Sequence, residues 1–87
     1  MRCEVDINLS RYYTPKIIKN DFPFTISHEY DISRFLRLTY YEYVHLIIQN
    51  GGFFSSFTYH CFKTRKECQD FIDEFIEPRL IINKLTE

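Results

Sequence analysis

The chain has 87 residues, 45% hydrophobic and 18% aromatic, with a formal net charge of −1. A chain of that length builds one domain, spanning 1–87, around one core, and its apolar content excludes a disordered chain. The near-neutral charge argues against reliance on phosphate neutralisation, and no apolar run is long enough to span a bilayer.

The three cysteines cannot all pair with one another, so a reducing cytoplasm is the expected location. The first residues, Met1 to Asp6, carry early acids and no apolar stretch, which argues against a signal peptide. Alanine and tryptophan are absent, whereas Phe is 9 and Tyr 7. That bias is what A/T-rich codons produce and points to a low-GC genome, bacterial or viral.

In chain order, Cys3, Val5, Ile7 and Leu9 alternate with Glu4, Asp6, Asn8 and Ser10. This period of two predicts a strand over 2–9 with the odd positions facing the core. Residues 11–21 show no clear period and are punctuated by Pro15 and Asn20-Asp21, so a loop with a turn is expected. Phe22, Phe24 and Ile26 alternate around Pro23 and Thr25, which fits a short strand with Pro23 at an edge or at its start. From His28 to Leu38, the positions of Ile32, Phe35 and Leu36 suit a short helix.

Thr39-Tyr40-Tyr41-Glu42 and Thr64-Arg65-Lys66-Glu67 are capping boxes, each opening an amphipathic helix. The first box predicts a helix over 40–50, with Tyr40, Val44, Ile47 and Ile48 as its apolar stripe and Gly51 as its C′ residue. Leu38 and Tyr43 occupy the positions of a hydrophobic staple. Phe53 to Phe62 is rich in β-formers on both faces and reads as one central strand. Cys68, Phe71, Ile72, Phe75 and Ile76 give the strongest helical period in the chain, over 65–77. Pro78 then predicts a kink or break, followed by a short helix over 78–85 packed by Leu80, Ile81, Ile82 and Leu85. The assembled expectation is a small α+β domain. It has an antiparallel or mixed sheet of about three strands, with two to three helices mainly on one face.

Four surfaces are candidates for function. Asp70, Asp73, Glu74 and Glu77 share one helix face, an acidic stripe that could meet a basic partner surface, although such a row is usually a solvated face. Tyr12, Tyr13, Tyr40 and Tyr41, with Arg34 and Arg37, are the residue types that anchor protein interfaces. Lys63, Arg65 and Lys66 cluster at a helix start and supply an alternative nucleic-acid patch. Gly51-Gly52-Phe53-Phe54 with Phe57 and Tyr59 invites comparison with the aromatic strand of an RNA-recognition motif. Asn50 stands where that motif has a basic residue, and Ser55-Ser56 interrupts the aromatic order.

His45, His60, Cys61 and Cys68 lack zinc-site spacing, so no metal is expected, and no fixed partner is expected for His28, His45 or His60. No elbow serine, P-loop or dinucleotide fingerprint occurs, so no cofactor and no enzymatic activity are expected. In size, low-GC composition and lack of catalytic chemistry the chain resembles small phage-encoded inhibitors, anti-CRISPR proteins among them. The resemblance covers general character and carries no motif. It implies a small cytoplasmic protein, in a bacterial host if phage-encoded, that binds a protein partner without catalysis; nucleic-acid binding is the alternative.

Overall fold

The computed structural model describes residues 2–18, 25–26, 29–56 and 59–86, with the side chains of 25, 26, 30, 59 and 82–86 excepted. β1 (Arg2–Ile7) and β2 (Tyr13–Ile18) pair antiparallel, from Arg2↔Ile18 to Ile7↔Tyr13. Asn8 closes the loop between them. Its Oδ1 accepts from the Ser10 N–H at 3.0 Å and the Tyr12 N–H at 2.9 Å, and its carbonyl accepts from the Arg11 N–H at 2.9 Å. Arg11 sits at φ 63, the left-handed residue that a three-residue hairpin loop uses. The expected inward face holds for Cys3 and Val5 and fades where the strand leaves the core, with Ile7 51% and Leu9 93% exposed.

β2 lies within the segment expected to be a loop, and Pro15 explains both the misreading and the topology. The bond from Asn8 N–H to the Tyr12 carbonyl sets the alternation of the ladder. It gives the ladder bonds to the even residues and turns the backbone groups of Tyr13, Pro15 and Ile17 away from β1. Pro15 therefore lacks an N–H where the hairpin requires none. On that outer side Tyr13 exchanges both backbone bonds with Phe62 (2.9 and 2.8 Å), and Ile17 pairs with Ile26 of β3 (Thr25–Ile26). Pro15 separates these two contacts, and the strands form two antiparallel sheets, β1-β2-β3 and a separate pair, instead of one. The α+β class stands. Of the expected strand at 22–26, Phe22, Pro23 and Phe24 lie outside the described residues, as does the Asn20-Asp21 turn.

The second sheet corrects another expectation. Phe53 to Phe62 is a hairpin, with β4 (Phe53–Ser55) paired to β5 (Tyr59–Cys61) in the register Phe53↔Cys61, Phe54↔His60 and Ser55↔Tyr59. The β-formers indicated extended chain, but the Ser55-Ser56 pair marks the end of β4, since Ser56 lies in a turn. Phe57 lies outside the described residues.

α1 (Glu29–Phe35) falls in the stretch expected to be a short helix; of that stretch His28 lies outside the described residues. It ends in a Schellman motif. The Leu38 N–H reaches the Ser33 carbonyl at 2.9 Å and the Arg37 N–H the Arg34 carbonyl at 3.0 Å, with Arg37 at φ 59 in the position glycine usually fills. α2 (Tyr40–Gln49) opens with the complete Thr39/Glu42 box, at 3.1 and 3.0 Å. It closes in a second Schellman motif, in which Gly51 takes φ 95 and the Gly52 N–H reaches the Ile47 carbonyl at 2.9 Å. Tyr43 and Ile47 form its buried side, while Ile48, expected in the stripe, is 51% exposed.

α3 (Arg65–Phe71) opens with half a box. The Thr64 hydroxyl accepts from the Glu67 N–H at 3.2 Å and donates to the Glu67 carboxylate at 2.9 Å. The expected break at Pro78 does not occur. The helix widens into a π turn (Ile72–Ile76) and continues as α4 (Glu77–Thr86). Proline cannot donate to the Glu74 carbonyl and crowds it. The Glu77 N–H bonds Ile72 instead, and the wider turn just before Pro78 takes up the misfit. It also keeps Ile72, Ile76 and Leu80, four residues apart, on the buried side. The side chains of Ile82 and Leu85 lie outside the description. Phe71 is central to the core, with ring centroids 6.2 Å from Tyr43, 5.3 Å from Phe62 and 5.2 Å from Phe75. Among the described residues no helix is long and apolar enough to cross a membrane.

Candidate functional site

A buried polar cluster joins α1, α2 and β5. Glu29, at the start of α1, and His60, in β5, are each 8% exposed. The Glu29 Oε1 accepts from the His60 backbone N–H, and both carboxylate oxygens lie 3.1 Å from His60 Nδ1. Oε2 also accepts from the Tyr40 hydroxyl at 3.1 Å. Nδ1 donates to the carboxylate in the imidazole tautomer that satisfies both groups. His60, expected to have no fixed partner, therefore has one. Glu29 and His60 are 31 positions apart, and no local pattern links them.

The cluster sets the start of α2 and is flanked by exposed aromatics. The Phe54 ring, 61% exposed, lies 5.2 Å from the His60 ring; Tyr41, 82% exposed, lies 6.0 Å from Tyr40. Along α2, Tyr41, His45 and Ile48 step at four and three residues, so they share one outward face. Beside them Leu38, Glu42, His45, Leu46 and Gln49 line an open groove of about 270 Å³. Opposite this face, Tyr43 is buried. Burial, reinforced by the Glu29 charge, pushes its hydroxyl well above the ordinary range, so it stays neutral.

The other candidates from the sequence divide into separate places. Arg34 and Arg37, both exposed, sit at the end of α1 and Tyr40 and Tyr41 at the start of α2, so these four share the α1–α2 junction. Tyr12 and Tyr13 lie instead on the β2 hairpin. Tyr12 packs edge-on to Phe53 at 4.8 Å, Lys63 lies 5.5 Å over the Phe53 ring and Arg65 5.7 Å over the Tyr13 ring. The expected basic patch is thus joined to two of the expected tyrosines. Lys66 is held by Asp70 at 2.7 Å; that hydrogen bond and then the charge raise the lysine's pKa. In the acidic stripe Asp70, Asp73 and Glu74 are exposed and Glu77 is half-buried. Asp73 accepts from Gln69 at 2.9 Å.

Cys3, Cys61 and Cys68 are buried and unbridged. Burial pushes the thiols of Cys3 and Cys68 up to about 12, which leaves them protonated and unreactive. Among the described residues no group of three His, Cys, Asp or Glu side chains is placed to hold a metal ion. Comparison with family models, curated proteins and solved structures finds no match for this chain.

Proposed function

We propose that this chain binds another protein through the outer face of α2, and that it acts by occupying that partner without catalysing a reaction. The observation that carries this reading is the exposure of Tyr41 and Ile48 on one helix face beside an open groove. A helix face of this kind, with apolar anchors two turns apart, fits helix-mediated recognition. Against catalysis stands the burial of Glu29 and His60, each 8% exposed, which keeps a substrate from this pair. Small size and low-GC composition favour a phage or mobile-element inhibitor, of the anti-CRISPR kind, working in the cytoplasm of a bacterial host.

The test compares wild type with the Tyr41→Ala/Ile48→Ala double variant in capture from a bacterial lysate. Both positions are exposed, so stability should move by only about 0.5 kcal/mol each. A partner retained by wild type and lost by the folded double variant supports the face. A partner retained equally by both refutes it.

Nucleic-acid binding is the second reading, favoured by the placement of Lys63 and Arg65 over aromatic rings on one side of the fold. Salt-dependent binding of a single-stranded oligonucleotide, lost in Lys63→Glu/Arg65→Glu, would put it first. The acidic stripe comes after these as a contact surface, because Lys66 and Gln69 already engage Asp70 and Asp73.

A further inference from the structure

We propose that the open edge of β1 is a docking site for an extended protein segment carrying lysine or arginine at alternate positions. This inference concerns a different surface from α2 and stands independently of that reading. β1 is the end strand of its sheet, pairing with β2 alone. The alternation fixed by Asn8 and Tyr12 gives the even residues of β1 to β2. It turns the N–H and C=O groups of Cys3, Val5 and Ile7 outward. Among the described residues none of these groups meets a backbone partner.

The fold treats its neighbouring edge differently. The outer side of β2 is occupied at Tyr13 by Phe62, blocked at Pro15 and occupied at Ile17 by β3. β1 is six residues long and has no proline; of the devices that blunt an edge it carries charge, at Arg2, Glu4 and Asp6. An added strand could exchange bonds with Cys3, Val5 and Ile7 in register, which is recognition by strand addition.

The charges on the strand select the occupant. Glu4 is already matched, by Arg2 at 2.7 Å and by Lys16 as its cross-strand neighbour. Asp6 faces Thr14 across the hairpin and forms no ion pair among the described residues. On an added strand Glu4 and Asp6 fall at the non-hydrogen-bonded positions, where facing side chains approach most closely. A second copy fits poorly. Antiparallel self-pairing centred on Val5 or Asp6 sets an acid against an acid, and like charges directly opposite destabilise a sheet. Pairing centred on Glu4 sets Glu4 against Glu4 while bringing Arg2 opposite Asp6, and the dimer arm of the test below addresses that register. A basic residue opposite Asp6, with apolar residues at the alternate positions beside Val5 and Ile7, satisfies the edge.

The probe is an eight-residue peptide alternating lysine and valine, with a peptide alternating glutamate and valine as control. Binding is read by fluorescence anisotropy, and its location by amide hydrogen exchange. The lysine peptide should bind in a salt-dependent way and slow exchange at Cys3, Val5 and Ile7. Asp6→Lys should reverse the ranking of the two peptides. Val5→Pro removes an outward donor and no ladder bond to β2, so it should weaken binding about tenfold or more, the loss of one buried hydrogen bond. Should Val5→Pro fail to fold, a backbone N-methylated lysine peptide tested on wild type serves the same purpose and should not bind. Equal affinity for the two peptides, or binding unaffected by N-methylation, overturns the proposal. A concentration-dependent dimer of the wild type that protects the same three amides would assign the edge to a second copy and overturn it as well.

Discussion

Glu29→Ala tests the most consequential contact in the molecule. The substitution removes the carboxylate that accepts from the His60 backbone N–H, His60 Nδ1 and the Tyr40 hydroxyl. The two His60 donors are buried, and an orphaned buried donor costs about 1–3 kcal/mol. Tyr40 is half-buried and can turn to water, adding no more than about 1 kcal/mol. The expected loss is therefore roughly 2–7 kcal/mol, which brackets the range for breaking a buried pair. A domain of this size loses about 5 °C of Tm per kcal/mol, so the drop should be on the order of 10–35 °C. Against a total stability of about 5–15 kcal/mol, the variant stands close to unfolding. Glu29→Gln keeps an oxygen for the His60 N–H, and its amide can donate to Nδ1 in the other imidazole tautomer, so it should cost about 1–2 kcal/mol. Urea denaturation followed by far-UV circular dichroism measures both, with the slope expected to stay constant. A loss below about 1 kcal/mol for alanine, or equal losses for alanine and glutamine, would refute the assignment of this cluster as the joint between α1, α2 and β5.

Thr39→Ala and Thr64→Ala should each lower stability by about 0.5–2 kcal/mol, with Thr39 the larger because its box is complete; urea midpoints decide the order. Thr39, through its backbone N–H and then its hydroxyl, holds the Glu42 pKa below its ordinary value of 4.5. A depressed carboxyl stabilises the fold above the unfolded pKa and loses that contribution as pH falls through the folded one. The gap in urea midpoint between wild type and Glu42→Gln should therefore close on acidification below 4.5. Gly52→Ala should be worse than Gly51→Ala. A Cβ at 52 meets the carbonyl oxygens of Ile47 at 2.9 Å and Cys61 at 3.2 Å, whereas one at 51 meets the movable Glu67 carboxylate and adds a left-handed strain of about 1–2 kcal/mol. Phe71→Ala empties the ring cluster in the core and should cost about 3–5 kcal/mol, measured the same way.

What the sequence disclosed depended on how local the determining physics is. Both capping threonines, the Gly51 terminus and the Cys68 to Ile76 stripe are set within one or two helical turns, and each stands where the pattern puts it. The misreadings share the opposite property. Pro15 looks like a breaker until the ladder shows that its missing donor faces away from β1. The Phe53 to Phe62 run has the composition of a strand, and composition does not say where a chain reverses. Arg11 and Arg37 take left-handed conformations without glycine or asparagine to announce them. The polar joint was unreadable for a similar reason. A glutamate and a histidine 31 positions apart meet because an intervening helix and hairpin bring them together.

That joint bears on binding as well as on stability. The total accessible surface is 6018 Å², and a standard interface takes roughly 800 Å² from each partner, about one-eighth of it. A helix of ten residues, about 15 Å long, offers too narrow a face to supply that area alone. A further exposed apolar contribution lies at the far end of the cluster, from Tyr41 through Tyr40, Glu29 and His60 to Phe54. The position of α2 relative to the β4–β5 hairpin then decides whether Tyr41 and Phe54 present one surface or two. Glu29 fixes that position by holding α2 through Tyr40 and β5 through His60. A variant such as Glu29→Gln, folded but with altered bonds at the joint, should therefore weaken partner capture through geometry. Tyr41→Ala/Ile48→Ala should weaken it by removing contact area. Wild-type capture by Glu29→Gln, at a temperature where it is fully folded, would confine the interface to α2 and exclude Phe54 from it.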